Sequence, residues 1–211
     1  MKLLICTNFA QPFHTGGAER IVQQITESMT RDYGWDCHVF CKFGKSPVVY
    51  NGVKVRPFSE AAPDSEFLQA VKDLDPDHIF VYSDWFFRWE AILQHAESIR
   101  AKKSIGLVGM NRMRSSIQKN QIVANLFKNK HSLFKVLAHA ENYIDVETCK
   151  SWGIPVAIIH NSIDLSEFDT PYFDFKKHYD ITTENVVLCV ANFFPGKGQE
   201  FLLPIMRNMK E

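Results

Sequence analysis

Two adjacent glycines, Gly16 and Gly17, sit in the stretch Phe13-His14-Thr15-Gly16-Gly17-Ala18-Glu19-Arg20, after an apolar opening run and before a helical pattern. Glycines let backbone N–H groups approach a ligand with no Cβ in the way, and a helix beginning there turns the positive end of its dipole toward the loop. A phosphate or a sugar oxygen suits such a place. His14 beside the glycines can bond a hydroxyl or trade a proton, since an unperturbed imidazole titrates at about pH 6.5; an incidental histidine is the plainer reading. Asp84 can serve as a base or as the N-cap of a following helix. Asn111 can orient hydroxyls, while Arg112 and Arg114 can hold a phosphorylated or carboxylated acceptor through charge-assisted bonds. Cys37 and Cys41 have the spacing of a metal pair on a helix, but the residues between them read as a strand and no second pair exists, so no metal is expected.

These residues need a scaffold. Lys2-Leu3-Leu4-Ile5-Cys6-Thr7-Asn8 reads as a strand, and Ala18, Ile21, Val22, Ile25 and Met29 recur at helical spacing, which predicts that they pack on a sheet while Glu19, Arg20, Gln23, Gln24 and Glu27 face out. Gly34 is a stop. Strands follow at 37–41, 48–50 and 53–55, the last two divided by the turn signal Asn51-Gly52. Pro63-Asp64-Ser65 opens a helix carrying Phe67, Leu68, Val71 and Leu74, ended by Asp75-Pro76-Asp77. Strands at 78–82, 104–110, 133–138 and 156–159, with helices between them, continue the alternation. This is the pattern of an α/β, doubly wound parallel sheet of Rossmann-like kind, in which ligands bind beyond the carboxyl ends of the strands at the switch in strand order. From 164 to 185 the pattern weakens. It restarts with Val186-Val187-Leu188-Cys189-Val190-Ala191 as a buried strand, a turn through Gly196-Lys197-Gly198, and a helix from Gln199 to Met209 that Pro204 should kink.

The 211 residues balance 24 Lys and Arg against 24 Asp and Glu, so net charge gives no reason to expect nucleic acid. The charge is unevenly spread: residues 98–140 carry Arg100, Lys102, Lys103, Arg112, Arg114, Lys119, Lys128, Lys130 and Lys135 with no acid among them. Ile117, Ile122, Val123, Leu126 and Phe127 interleave there, the makings of a helix lying on an anionic membrane or of a solvated face over a core stripe. Five cysteines without paired spacing read as buried thiols of a reducing compartment. With no signal segment and no run near the roughly 20 apolar residues of a membrane span, a cytoplasmic protein is expected, with peripheral contact at the inner face of the membrane as an option of the basic segment.

Three stretches in order together resemble glycosyltransferase family 4, retaining enzymes of GT-B architecture built from two Rossmann-like domains. They are Gly16-Gly17-Ala18-Glu19-Arg20; Ile158-Ile159-His160-Asn161-Ser162-Ile163-Asp164-Leu165-Ser166-Glu167-Phe168, with Ser162 where the family has glycine; and Val190-Ala191-Asn192-Phe193-Phe194-Pro195-Gly196-Lys197-Gly198, with Ala191-Asn192 where the family has Gly-Arg. The resemblance implies an acceptor-side domain over residues 1–163, an interdomain linker over 164–185, and at 186–211 the first strand, loop and helix of a truncated donor domain. It implies that Gly16, Gly17 and Lys197 bind a nucleotide-sugar donor, that Asn111, Arg112 and Arg114 lie on the acceptor side, and that the partner substrate is a glycan or lipid-linked acceptor. Among residues that could be catalytic only His14 and Asp84 stand out. No cofactor or metal is implied, because helix N-termini and cations neutralise the leaving diphosphate in this architecture. The chain alone is expected to be inactive.

A different reading is a non-catalytic binding domain that docks on a membrane or a partner chain through the basic segment. A dinucleotide-dependent enzyme is disfavoured: the first loop lacks three-glycine spacing, and the second strand ends at Cys41-Lys42 rather than on an acid.

Overall fold

The computed structural model describes residues 1–82, 88, 91–92, 95, 104–108, 134–139, 147, 150, 156–159, 165, 169, 173–191 and 197–208, with the backbone alone for the strands within 104–159. The chain divides into two compact units, Met1–Asp164 and Leu165–Glu211.

The first unit is built on β1 (Lys2–Thr7), whose Leu3, Leu4, Ile5 and Cys6 are all buried. A strand apolar on both faces belongs at the centre of a parallel sheet covered by helices on each side. β1 lies between β2 (Asp36–Cys41) and β5 (His78–Tyr82), pairing in parallel with both, Leu3 opposite Cys37 on one side and His78 on the other. With β3 (Val48–Tyr50), β4 (Val53–Pro57), β6 (Ser104–Val108), β7 (Phe134–His139) and β8 (Val156–Ile159) they form an eight-stranded sheet of order β3-β4-β2-β1-β5-β6-β7-β8, every strand but β3 parallel. The chain winds outward from β1 through β2 and β4, then returns to β5 on the other side of β1. This is an α/β, Rossmann-like sheet, and its order reverses between β1 and β5.

Each face has its helix. α1 (Gly17–Tyr33) joins Leu3, Ile5, Cys37, Val39, Val53 and Val55 in one core, and Gly34 ends it in the left-handed conformation at φ 64°. On the other face α2 (Asp64–Leu74) buries Phe67 edge-on against Phe58 and Phe40, at 5.2 and 6.0 Å between ring centroids. The β3–β4 hairpin turns on Asn51 and Gly52 at φ 49° and 80°, both positive as a type I′ turn requires. Arg88, a residue of the aromatic stretch 85–89, is buried: its guanidinium pairs with Asp64, donates to the Ser59 and Ala62 carbonyls at 2.9 and 2.5 Å, and lies 5.6 Å from the Phe67 ring. It ties the start of α2 to the chain beyond β5.

Two expectations are corrected. In α1 Val22 is buried and Ile21, Ile25 and Met29 pack partly buried against the same core, as expected, but Ala18 is exposed, while Glu19 and Gln23, expected outside, are buried, as is Thr26. Thr26 and Gln23 can enter because they are satisfied locally: Thr26 donates to the Val22 and Gln23 carbonyls, and the Gln23 amide to Glu27 at 2.6 Å. In the second unit residues 186–191 form no strand and are exposed, Val190 to 84 %. Nothing among the described residues pairs with their backbone, and an apolar run alone cannot supply its own ladder. Residues 165–185 fall in this unit and include the one-turn α3 (Phe175–His178), capped by Asp174, which accepts from Lys177 N at 3.0 Å. α4 (Gln199–Asn208) forms with Pro204 inside it. No helix among the described residues is long and apolar enough to cross a membrane.

Candidate functional site

β1 delivers the chain to the switch point, and the loop that follows is held by its own hydrogen bonds. The Asn8 carbonyl accepts from Lys42 N at 2.9 Å and Phe43 N at 3.3 Å, fixing the end of β1 to the end of β2. The Ala10 carbonyl accepts from both Phe13 N and His14 N at 3.0 Å, and Gln11 Nε2 donates to Thr15 Oγ1 at 3.1 Å. Phe9 stacks on Phe43 at 4.7 Å and lies tilted against the His14 ring at 4.4 Å. Gly44 makes room for this cluster: a Cβ there would stand 2.7 Å from the Phe13 ring and 2.9 Å from Pro57 Cβ, at a φ of 155°.

The two glycines serve different ends. Gly16 is the extended N-cap of α1, and a Cβ on it would run into Glu19 Oε2. Gly17 is the first helical residue, and among the described residues a Cβ on it would meet nothing within 4 Å. Gly16 therefore leaves room for a side chain of the protein, and Gly17 leaves room on its open side.

Glu19, at the third helical position, folds back over the helix N-terminus, where the dipole favours a negative charge. It is 8 % exposed. His14 Nδ1 is 3.8 Å from Glu19 Oε1, too far for a hydrogen bond, and the His14 side chain is half exposed. Tyr82, the last residue of β5, is buried in the same core as Val22 and Ala10, and burial, with the Glu19 charge adding to it, pushes its phenol upward. Beneath α1 lies a cavity of about 10 Å³ walled by Glu19, Gln23, Thr26, Val39, Val53 and Val55. That is room for about one water, so a sugar-sized ligand belongs above the loop and not under the helix.

The structure thus brings His14, Gly16 and Gly17 together and adds Glu19 and Tyr82, which the sequence reading took for an outward-facing acid and a strand residue. The signal for Glu19 was its place three residues after the N-cap; for Tyr82 it was the end of the strand returning beside β1. Lys197 is exposed on the turn before α4 in the second unit. Asp84, Asn111, Arg112 and Arg114 lie outside the described residues, as do His160, Asn161 and Ser162 and most of the basic segment. Cys37 and Cys41 are buried free thiols on β2, and among the described residues no three His, Cys, Asp or Glu side chains are grouped so as to hold a metal. Comparison with known proteins adds no assignment: no protein-family model matches the chain, and no curated protein matches it with significance.

Proposed function

We propose that this chain is the acceptor-side portion of a retaining, family 4-like glycosyltransferase of GT-B architecture, a hexosyltransferase of glycan biosynthesis that passes a sugar from a nucleotide donor to a glycan or lipid-linked acceptor. One observation carries the reading: the β1–loop–α1 unit stands where strand order reverses, with open space at Gly17 and a buried carboxylate beside it. In this reading Gly16 and Gly17 border the donor, Lys197 faces its phosphates, and Asn111, Arg112 and Arg114 hold the acceptor. His14 and Asp84 are the acid-base candidates. The buried thiols Cys6, Cys37 and Cys41 suit a cytoplasmic setting.

Saturation-transfer NMR with UDP-glucose, UDP-N-acetylglucosamine and GDP-mannose tests the reading. The expected result is transfer to hexose protons of at least one donor, lost in Gly17→Val; transfer to none of the three overturns it. The chain by itself is expected to turn over none of them.

A further inference from the structure

Strand alternation sends Val39, Val53 and Val55 into the α1 core and turns His38 and Phe40 of β2 and Lys54 and Arg56 of β4 to the other side of the sheet, where the register sets Lys54 between His38 and Val49 of β3, and Arg56 beside Phe40. α2 meets this side at Phe40 through Phe67, and a groove of about 470 Å³ lies between its Ala70, Asp73 and Leu74 and the outer strands. That is the size of a small-molecule site, and it lies on the face of the sheet, apart from the loop beyond the carboxyl end of β1. We propose that this groove is a second binding site, for an apolar monocarboxylate: an aromatic or branched-chain acid whose carboxylate sits on Arg56. The charges decide the class. Lys54 Nζ and His38 Nε2 both engage Asp36 Oδ1, at 2.9 and 3.0 Å, and Asp73 accepts from the Gln69 amide at 2.7 Å. Arg56 is exposed, and its guanidinium makes no hydrogen bond or ion pair among the described residues; it lies over the Phe58 ring, 4.7 Å from the centroid. A guanidinium stacked on a ring keeps its fork of donors ready for two parallel bonds to one carboxylate. One uncommitted cation answers one negative charge, and Asp73 on the helix wall of the groove opposes a second. The body of the acid has apolar surface to cover, because Val49 is 71 % exposed and Leu74 is partly so.

The test is an amide-shift titration of the full chain with phenylpropionate and isocaproate, with phenylpropionamide as the neutral counterpart and phenyl phosphate as the dianionic one. At least one of the two acids is expected to move the amides of Val49, Lys54, Arg56 and Leu74 to saturation with a Kd of about 1 mM or tighter. Phenylpropionamide and phenyl phosphate should bind at least about tenfold more weakly than phenylpropionate, the amide for want of charge-assisted bonds and the phosphate for its second charge. Arg56→Gln, at an exposed position, should abolish the preference for acid over amide, and Arg56→Lys, which keeps the charge without the fork, should leave an intermediate preference. Asp73→Asn should narrow the gap between phenyl phosphate and the acid. Shifts at these four amides that do not saturate with either acid would overturn the proposal. Equal binding of acid and amide by the wild type would make the groove a purely apolar surface, and phenyl phosphate binding as tightly as the acid would make it a phosphate site; either result overturns the proposal, as does an acid preference left unchanged in Arg56→Gln.

Discussion

Cys6 and Cys189 stand at like places in two like runs, Leu3-Leu4-Ile5-Cys6-Thr7 and Val187-Leu188-Cys189-Val190-Ala191, each followed by a glycine turn and a helix. Cys6 is wholly buried in β1, and Cys189 is exposed in a segment that forms no strand. The runs differ little in hydrophobicity; they differ in partners. β1 pairs on both sides and is roofed by helices on both faces, so its backbone groups and its side chains are satisfied together. The second run has no pairing among the described residues, and hydrophobicity alone does not make a strand.

The largest expected effect is in protection. Amides of β1 should exchange at least about a thousandfold more slowly than those of residues 186–191, because their opening approaches global unfolding. Equal rates would show that the second run is sheltered after all. Thiol chemistry should separate the runs in the same way. Burial pushes Cys6 and Cys37 upward and Cys41 up to about 12, so in the folded chain at mildly alkaline pH iodoacetamide should modify Cys189 and spare these three. Modification of Cys6 at the rate of Cys189 would break the comparison.

Truncation is next. Ile5→Ala should cost about 2–5 kcal/mol by denaturant unfolding, and Leu188→Ala, at an exposed position, less than about 0.5 kcal/mol. A smaller pH effect sharpens the picture on the sheet side. His38 is held below its ordinary 6.5 chiefly by burial, against the pull of Asp36, whose Oδ1 is 3.0 Å away. Burial alone would raise Asp36, but hydrogen bonds from Lys54 and His38 outweigh it and keep it below 3.8. In both cases the unfolded chain binds protons more readily than the folded one, so stability should fall as pH drops below 6.5 and again below 3.8. His38→Gln should flatten the first step. The smallest effect is at the loop: Gly17→Ala, with nothing near its Cβ among the described residues, should raise stability by about 0.4–1 kcal/mol.

Much of the first unit was legible. The Asn51-Gly52 turn, the stop at Gly34, the helix opened by Pro63 and ended at Asp75, and the placing of the strands follow from local chemistry that tertiary packing did not override. The stripe Ile21, Val22, Ile25 and Met29 was legible too, but its breadth was not, because a hydrophobic stripe cannot foresee that Thr26 and Gln23 will satisfy themselves within the helix and join the buried side. Glu19 read as a surface acid because its carboxylate lies where a Cβ on residue 16 would stand, a relation between two residues that no single-residue scale contains. The second run failed for want of pairing, which no property of its own residues reveals.

The account's central claim is that the loop between β1 and α1 is where a sugar donor is met. Amide-shift mapping with the nucleotide sugar that shows saturation transfer tests it most directly. The account predicts that the largest shifts fall on Gly17, Ala18 and Glu19 and spread to Tyr82. Saturable binding that leaves those four amides unmoved would contradict it.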